Sequence, residues 1–237
     1  AKFCEDAKVH RPEIIYFNLG GDLLNTDSNG KTTTKGTPQD EESSIYDTQR
    51  KAAWLVIKMI LALAEHAPVE VLMIPGNHDE IRSWFLGHAI EMFFWNDSRV
   101  KIDNREVFRK YIRFGTNLLG AAHGEEDAKK LPFLMAQENP LDWGQCRVRE
   151  FFLGHHHKIR KWAQTYIDED SGVRVIRCPS VSGTDKWHFK SGWIGAIKEA
   201  QNHIYDFALG KVAVSICEFL EAPVVPSSQD MPPELTH

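Results

Sequence analysis

Apolar positions along this chain fall into short continuous runs and longer helical stretches, separated by polar, Gly- and Pro-containing segments. Glu13 to Leu19 (EIIYFNL) is rich in Ile, Tyr and Phe and predicts a strand. Asn25 to Ser44 has few apolar residues and no period, which predicts an exposed, mobile loop. Ala52 to Ala64 is apolar almost all round, the pattern of a helix buried between layers, with Asp47 as its capping carboxylate. Val69 to Ile74 predicts a buried strand, closed by Pro75 and Gly76. Ile81 to Trp95 predicts a second helix, whose bulky groups Trp84, Phe85, His88, Met92 and Trp95 are expected to pack into the core.

Further on, Val100 to Ile102, Val107 to Phe114, the apolar run ending at His123, and Arg149 to Leu153 predict strands. Ala163 to Ile167 and Val173 to Arg177 predict a hairpin, and Ile204 to Leu209 with Val212 to Phe219 predict another strand pair. Strands alternating with helices place the chain in the α/β class. No internal repeat or second core is visible, so a single domain over residues 1–222 is expected, followed by a flexible Pro-rich tail at 223–237.

Composition changes this picture little. At 237 residues and 42% hydrophobic, the chain is long enough for a substantial core. A net charge of -5, with both signs mixed, excludes a protein that holds nucleic acid by bulk charge alone. Lys58 interrupts the longest apolar stretch, so no membrane span or membrane partner is expected, and no signal peptide is visible. Cys4, Cys146, Cys178 and Cys217 form no C-x-x-C pair, which fits buried thiols in a reducing compartment and a cytoplasmic location.

The chemistry concentrates at strand ends. Asn77, His78 and Asp79 follow the strand at Val69–Ile74 directly, and buried polar side chains there need partners that a metal or phosphate supplies. Asp22 follows Gly20-Gly21 at the end of the first strand. A lone Gly-Asp is most simply a turn or helix-capping carboxylate; its three companions favour a metal ligand. His123-Gly124 stands past another apolar run, and Glu125, Glu126 and Asp127 suit a helix start. Gly154-His155-His156-His157 closes a further strand, and extended alternation would put His155 and His157 on one face. Arg82 is placed either to grip a phosphate bidentately or to form a surface salt bridge.

Taken together, Gly21-Asp22, Gly76-Asn77-His78-Asp79, His123-Gly124 and Gly154-His155-His156-His157 resemble, in order, the motifs of the calcineurin-like metallophosphoesterases. The likeness covers roughly residues 13–206 and is most similar to the phage-encoded and bacterial members. It implies a four-layer αββα sandwich of two mixed β-sheets flanked by helices. It implies two divalent metal ions (Mn, Fe, Zn or Ni), for which mixed carboxylate, amide and imidazole ligands are suited. The resemblance makes Asp22 the bridging ligand, puts Asn77, His123 and His155 on one metal, and gives His157 to the other. It makes His78 the group that protonates the leaving oxygen, with Asp79 orienting its imidazole.

The family's Asp-x-His motif has no counterpart upstream of Asp22: Asp6 precedes Ala7-Lys8, and His10 lies in a polar stretch. The second metal site is therefore the less defined. The chain begins at Ala1, so the expectation is a first strand that precedes this sequence; the other reading is a protein with one metal or none. Asp185, Trp187 and His188, in the loop after Ser182-Gly183, are candidates for substrate contact, with Trp187 stacking on a base or covering the core edge. The activity implied is hydrolysis of a phosphoester, favouring a diester, with DNA or a nucleotide among the partners. The competing readings are a phosphomonoesterase, a cyclic-nucleotide phosphodiesterase and an inactive binding scaffold.

Overall fold

The computed structural model describes residues 2–41, 43–125, 128–155, 167–181 and 198–219. Its first sheet is parallel throughout: β1 (Ile15–Leu19), β2 (Val69–Met73) and β3 (Val100–Asp103) lie in the order β1-β2-β3. The register sets Ile15 beside Val69 and Leu19 beside Met73, so β1 and β2 end together. The connections are α2 (Ile45–Ala64) and α3 (Glu80–Phe93), as parallel neighbours require.

The second sheet has the order β4-β5-β6-β8-β7, from β4 (Arg109–Phe114), β5 (Asn117–Ala122), β6 (Val148–Leu153), β7 (Ile167–Asp170) and β8 (Val173–Arg177). Strands β5, β6 and β8 are parallel; β4 and β7 run antiparallel at the edges. A separate antiparallel ribbon joins β9 (Glu199–Asp206) to β10 (Gly210–Glu218).

The layers follow from the strand period. On one face of β2, Val69, Val71 and Met73 pack with Val56, Ile60, Leu86 and Ile90 of the helices. On the other, Leu72 and the following Ile74 meet Ala121 of β5 and Ile112 of β4. Across β5, Leu118 and Ala122 pack with Leu131 and Met135 of α4 (Leu131–Glu138). Helix, sheet, sheet, helix is the order expected. Each fully buried aliphatic side chain contributes roughly 1.5–3 kcal/mol.

Several expectations change. The Asn25–Ser44 loop is pinned: Asp27 accepts the backbone N–H groups of Ile81 and Arg82, capping α3 from 54 and 55 residues away, and Thr32 bridges to Pro38. The cap of α2 is Ser44, whose hydroxyl accepts the Tyr46 N–H; Asp47 sits in the first turn. Trp84, Phe85, His88, Met92 and Trp95 lie on the exposed side of α3 and its end, because Leu86 and Ile90 already fill the core side. Trp54, Leu55 and Met59 are likewise exposed on α2, so that helix is an outer layer with one buried face. Helices α1 (Lys2–His10), α4 and α5 (Pro140–Gln145) lacked a clear apolar period; α1 is laced by Lys8–Glu5 at 2.7 Å and fixed to β9 through Asn202 and Asp6. Glu126, Asp127, the first strand of the 163–177 hairpin and the tail at 223–237 lie outside the described residues.

Two buried charge clusters tie the sheets together. Lys110 of β4 is almost wholly buried and donates to the Asp103 backbone carbonyl (2.5 Å) and carboxylate (3.1 Å) at the end of β3. Glu150 of β6, fully buried, meets Arg174 at 3.1 Å, Lys211 at 2.5 Å and the Tyr205 hydroxyl, joining the second sheet to the ribbon. All four cysteines are free.

Burial works to raise the Asp103 carboxyl, but its bonds to Arg105 and Lys110 outweigh that and hold it well below the ordinary range. A depressed carboxylate adds stability above its unfolded pKa and loses it as pH falls through the folded value. Asp103→Ala should cost about 3–5 kcal/mol at neutral pH, because Lys110 keeps its buried charge without a carboxylate. Urea unfolding should show that gap narrowing as the pH falls into the acid range.

Candidate metal centre

The carboxyl ends of β1, β2, β5 and β6 converge where the two sheets meet, and each is followed by a polar residue: Asp22, Asn77 and His155 after a glycine, His123 directly after β5 and before Gly124. Close backbone approach explains the glycines. A Cβ on Gly76 would lie 2.1 Å from Asp22 Oδ1, and one on Gly21 would lie 2.6 Å from His123 Nδ1. Neither position has room for a side chain.

Four side chains from those ends meet at one point. His123 Nε2 lies 3.1 Å from Asp22 Oδ2, 2.9 Å from Asn77 Oδ1 and 3.0 Å from His155 Nδ1. The ligand atoms of Asp22, His123 and His155 lie within 4.8 Å of one another, the one such cluster found among the described residues. A single imidazole nitrogen carries at most one hydrogen and cannot satisfy three such neighbours. A cation accepting lone pairs from all four groups can. The mixed O and N donor set fits Mn, Fe, Zn or Ni.

The backbone prepares His123 for that role. Its Nδ1 lies 2.8 Å from the Gly20 carbonyl, an acceptor, so Nδ1 carries the hydrogen and Nε2 is the nitrogen that faces the cluster. Burial lowers the imidazole's pKa, but the hydrogen bond to Asp22 and its charge outweigh this, and the net direction is upward. For Asp22, burial acts upward while the His123 bond and charge and the His78 N–H pull it lower overall.

Asp22 and His155 both adopt left-handed backbone, each at φ 53°. Such conformations cost free energy and persist where the surroundings fix them. Asp79 does so for Asp22: its wholly buried carboxylate accepts from Asp22 N at 3.1 Å and Leu24 N at 2.8 Å. Burial pushes Asp79 above the usual range, aided by the charge of Asp22, against the opposing N–H bonds. Asp79 thus holds the Gly-Asp turn and does not orient His78 as expected. The His78 ring instead lies with Nδ1 3.3 Å from the Asn25 carbonyl, while its backbone N–H donates to Asp22 Oδ1 at 2.9 Å. The left-handed turn at His155 departs from the extended backbone that the sequence pattern suggested there.

The structure thus brings Asp22, Asn77, His123 and His155 together, with His78 beside them. Arg82 is not part of the site. Its five N–H groups reach Gln49 Oε1, the Thr26 carbonyl and hydroxyl, the Ile45 carbonyl and the Thr48 hydroxyl, leaving none for a phosphate. His157, Asp185, Trp187 and His188 lie outside the described residues. The carbonyls of Gly20 and Asn25 carry no side-chain signal; only the Gly20-Gly21 pair hinted at close backbone contact.

Comparison with known proteins adds little to this geometry. No family model and no curated protein matches the chain. Among solved structures it is similar to a double mutant of Vps29 from Entamoeba histolytica, at 14% identity and TM-score 0.39 over 92% of this chain and 89% of that one. A single mutant of the same protein matches at 12% identity and TM-score 0.36, over 87% of this chain and 99% of that one. Likeness at this level carries no argument about family or function, and the chemistry rests on the site itself.

Three outcomes test the site. Mn²⁺ or Zn²⁺ should raise the melting temperature of the native chain but not of Asp22→Asn or His123→Ala, by differential scanning fluorimetry. Metal affinity should weaken as pH falls through the raised pKa of His123, beginning above the ordinary imidazole value of about 6.5. Arg82→Lys, which loses the planar fork, should cost at least about 2 kcal/mol in urea unfolding and leave metal affinity unchanged.

Proposed function

We propose that this chain is a metal-dependent phosphoesterase acting on phosphodiesters, nucleic acid among them. The observation that carries this reading is the convergence of Asp22, Asn77 and His155 on His123 Nε2, beside a half-exposed His78. Asp22, Asn77, His123 and His155 would hold the cation. A divalent cation bound there supplies positive charge against the phosphate oxygens and acidifies water.

The chain's own groups do the rest. The Gly20 carbonyl keeps the hydrogen of His123 on Nδ1 and its Nε2 directed inward. Asp79 holds Asp22 in its turn. The Asn25 carbonyl accepts from His78 Nδ1, so Nε2 is the nitrogen that exchanges a proton with a reacting group. As the ester bond breaks, His78 Nε2–H delivers its proton to the departing oxygen, water supplies the hydroxyl that remains on phosphorus, and the water's other proton restores His78.

No helix among the described residues is long and apolar enough to cross a membrane, and the four free cysteines support a reducing compartment such as the cytoplasm.

Hydrolysis of bis(p-nitrophenyl) phosphate, p-nitrophenyl phosphate and linear DNA, each with and without Mn²⁺, tests the proposal. The expected result is metal-dependent cleavage favouring the diesters. His78→Ala should lower kcat about 100-fold or more with metal content unchanged. Metal-independent turnover, or full activity in His78→Ala, would overturn the assignment.

A further inference from the structure

Helix α3 is apolar on both sides. Its inward residues Leu86 and Ile90 are fully buried, and Phe94 at its end is nearly so. Its outward positions 81, 84, 85, 88, 89, 92 and 93 follow the i, i+3, i+4, i+7 spacing of an amphipathic stripe, and all are exposed. That stripe contains Ile81, Trp84, Phe85, Met92 and Phe93, and its one titratable group, His88, stacks on Trp84 at 5.5 Å. A helix apolar all round belongs between two packed surfaces.

The patch extends onto α2, where Trp54 packs edge-to-face on Phe93 with ring centroids 6.1 Å apart. Phe85 is 58% exposed, Ile81 57% and Trp54 53%. At about 200 Å² per large side chain, the six apolar groups together present roughly 600 Å² of apolar surface. Two copies meeting there would bury roughly 1,200 Å², the lower bound of a specific, stable interface. A pocket of about 220 Å³ opens at the amino end of the stripe, between Ile81, Trp84, Val107 and Phe108, with Glu80, Arg105 and Glu106 also in its lining. The same face thus offers both projecting aromatics and a socket large enough for one ring.

We infer that the outer face of α3 is the interface of a two-fold homodimer of this chain. A stripe without fixed charge meets its own image with no like-charge conflict, and homodimer interfaces are the more apolar class. Its borders carry both signs, Lys51 and Lys58 on α2 and Glu91 on α3, so a two-fold image sets opposite charges within reach at the rim. A charged macromolecular partner would find no complementary field in the stripe itself. The inference does not depend on the proposed chemistry, since it uses no residue of the metal centre.

Sedimentation velocity of the full chain across the micromolar range tests it, with Phe85→Glu, Met92→Glu and, as a control on the exposed face of β10, Val214→Glu. The native chain and Val214→Glu should sediment at twice the 27.1 kDa chain mass. Both α3 variants should halve that mass while keeping the native circular dichroism spectrum. A native monomer throughout, including one that floats with lipid vesicles, would overturn the inference. So would a dimer that survives both α3 substitutions or dissolves on Val214→Glu.

Discussion

The buried carboxylate of Asp79 is the constraint on which the centre depends. It sits one residue beyond His78, yet its two oxygens accept from the backbone of Asp22 and Leu24, far away in the chain. Those bonds hold Asp22 in a left-handed conformation that a non-glycine residue would otherwise leave. Gly21 and Gly76 let the two turns touch. Once they touch, Asp22 and Asn77 both face His123.

The fold supplies the other half. Parallel strands in both sheets direct their carboxyl ends to the same edge, and the contact of Leu72 and Ile74 with Ala121 fixes one sheet against the other. The buried pair Lys110–Asp103 reinforces that stacking, and the cluster around Glu150 fixes the ribbon to the second sheet, both at points where unpaired charges would be costly. The loop at 25–44 then closes over the start of α3, with Asp27 capping it and Arg82 clamped beneath. In this arrangement a cationic side chain near the cluster stabilises the loop, while the cluster itself is built from neutral and anionic donors.

The cluster was legible in the sequence because polar groups placed close after apolar strands are anomalous unless something binds them. Asp22, Asn77, His123 and His155 each carried that mark. The layer order was legible through the resemblance, and the double-sided burial of Val69–Ile74 agreed with it. Other roles depended on partners distant in sequence. Arg82 looked like a phosphate ligand because nothing near it in the chain announces Thr26, Thr48 or Gln49. Asp79 looked like the partner of His78 because the two are adjacent. The orientation of α3 was hidden for a different reason: a helix with bulky apolar groups on two opposite sides gives no indication of which side faces the core. Helices α1 and α5, short and polar in pattern, left no periodic signal.

The most direct test of the central claim is X-ray absorption spectroscopy of the Zn²⁺-loaded chain. The account predicts a shell of nitrogen and oxygen donors only, with the outer-shell scattering of two imidazoles, from His123 and His155. A sulfur-containing shell, or an oxygen shell without imidazole scattering, would contradict it.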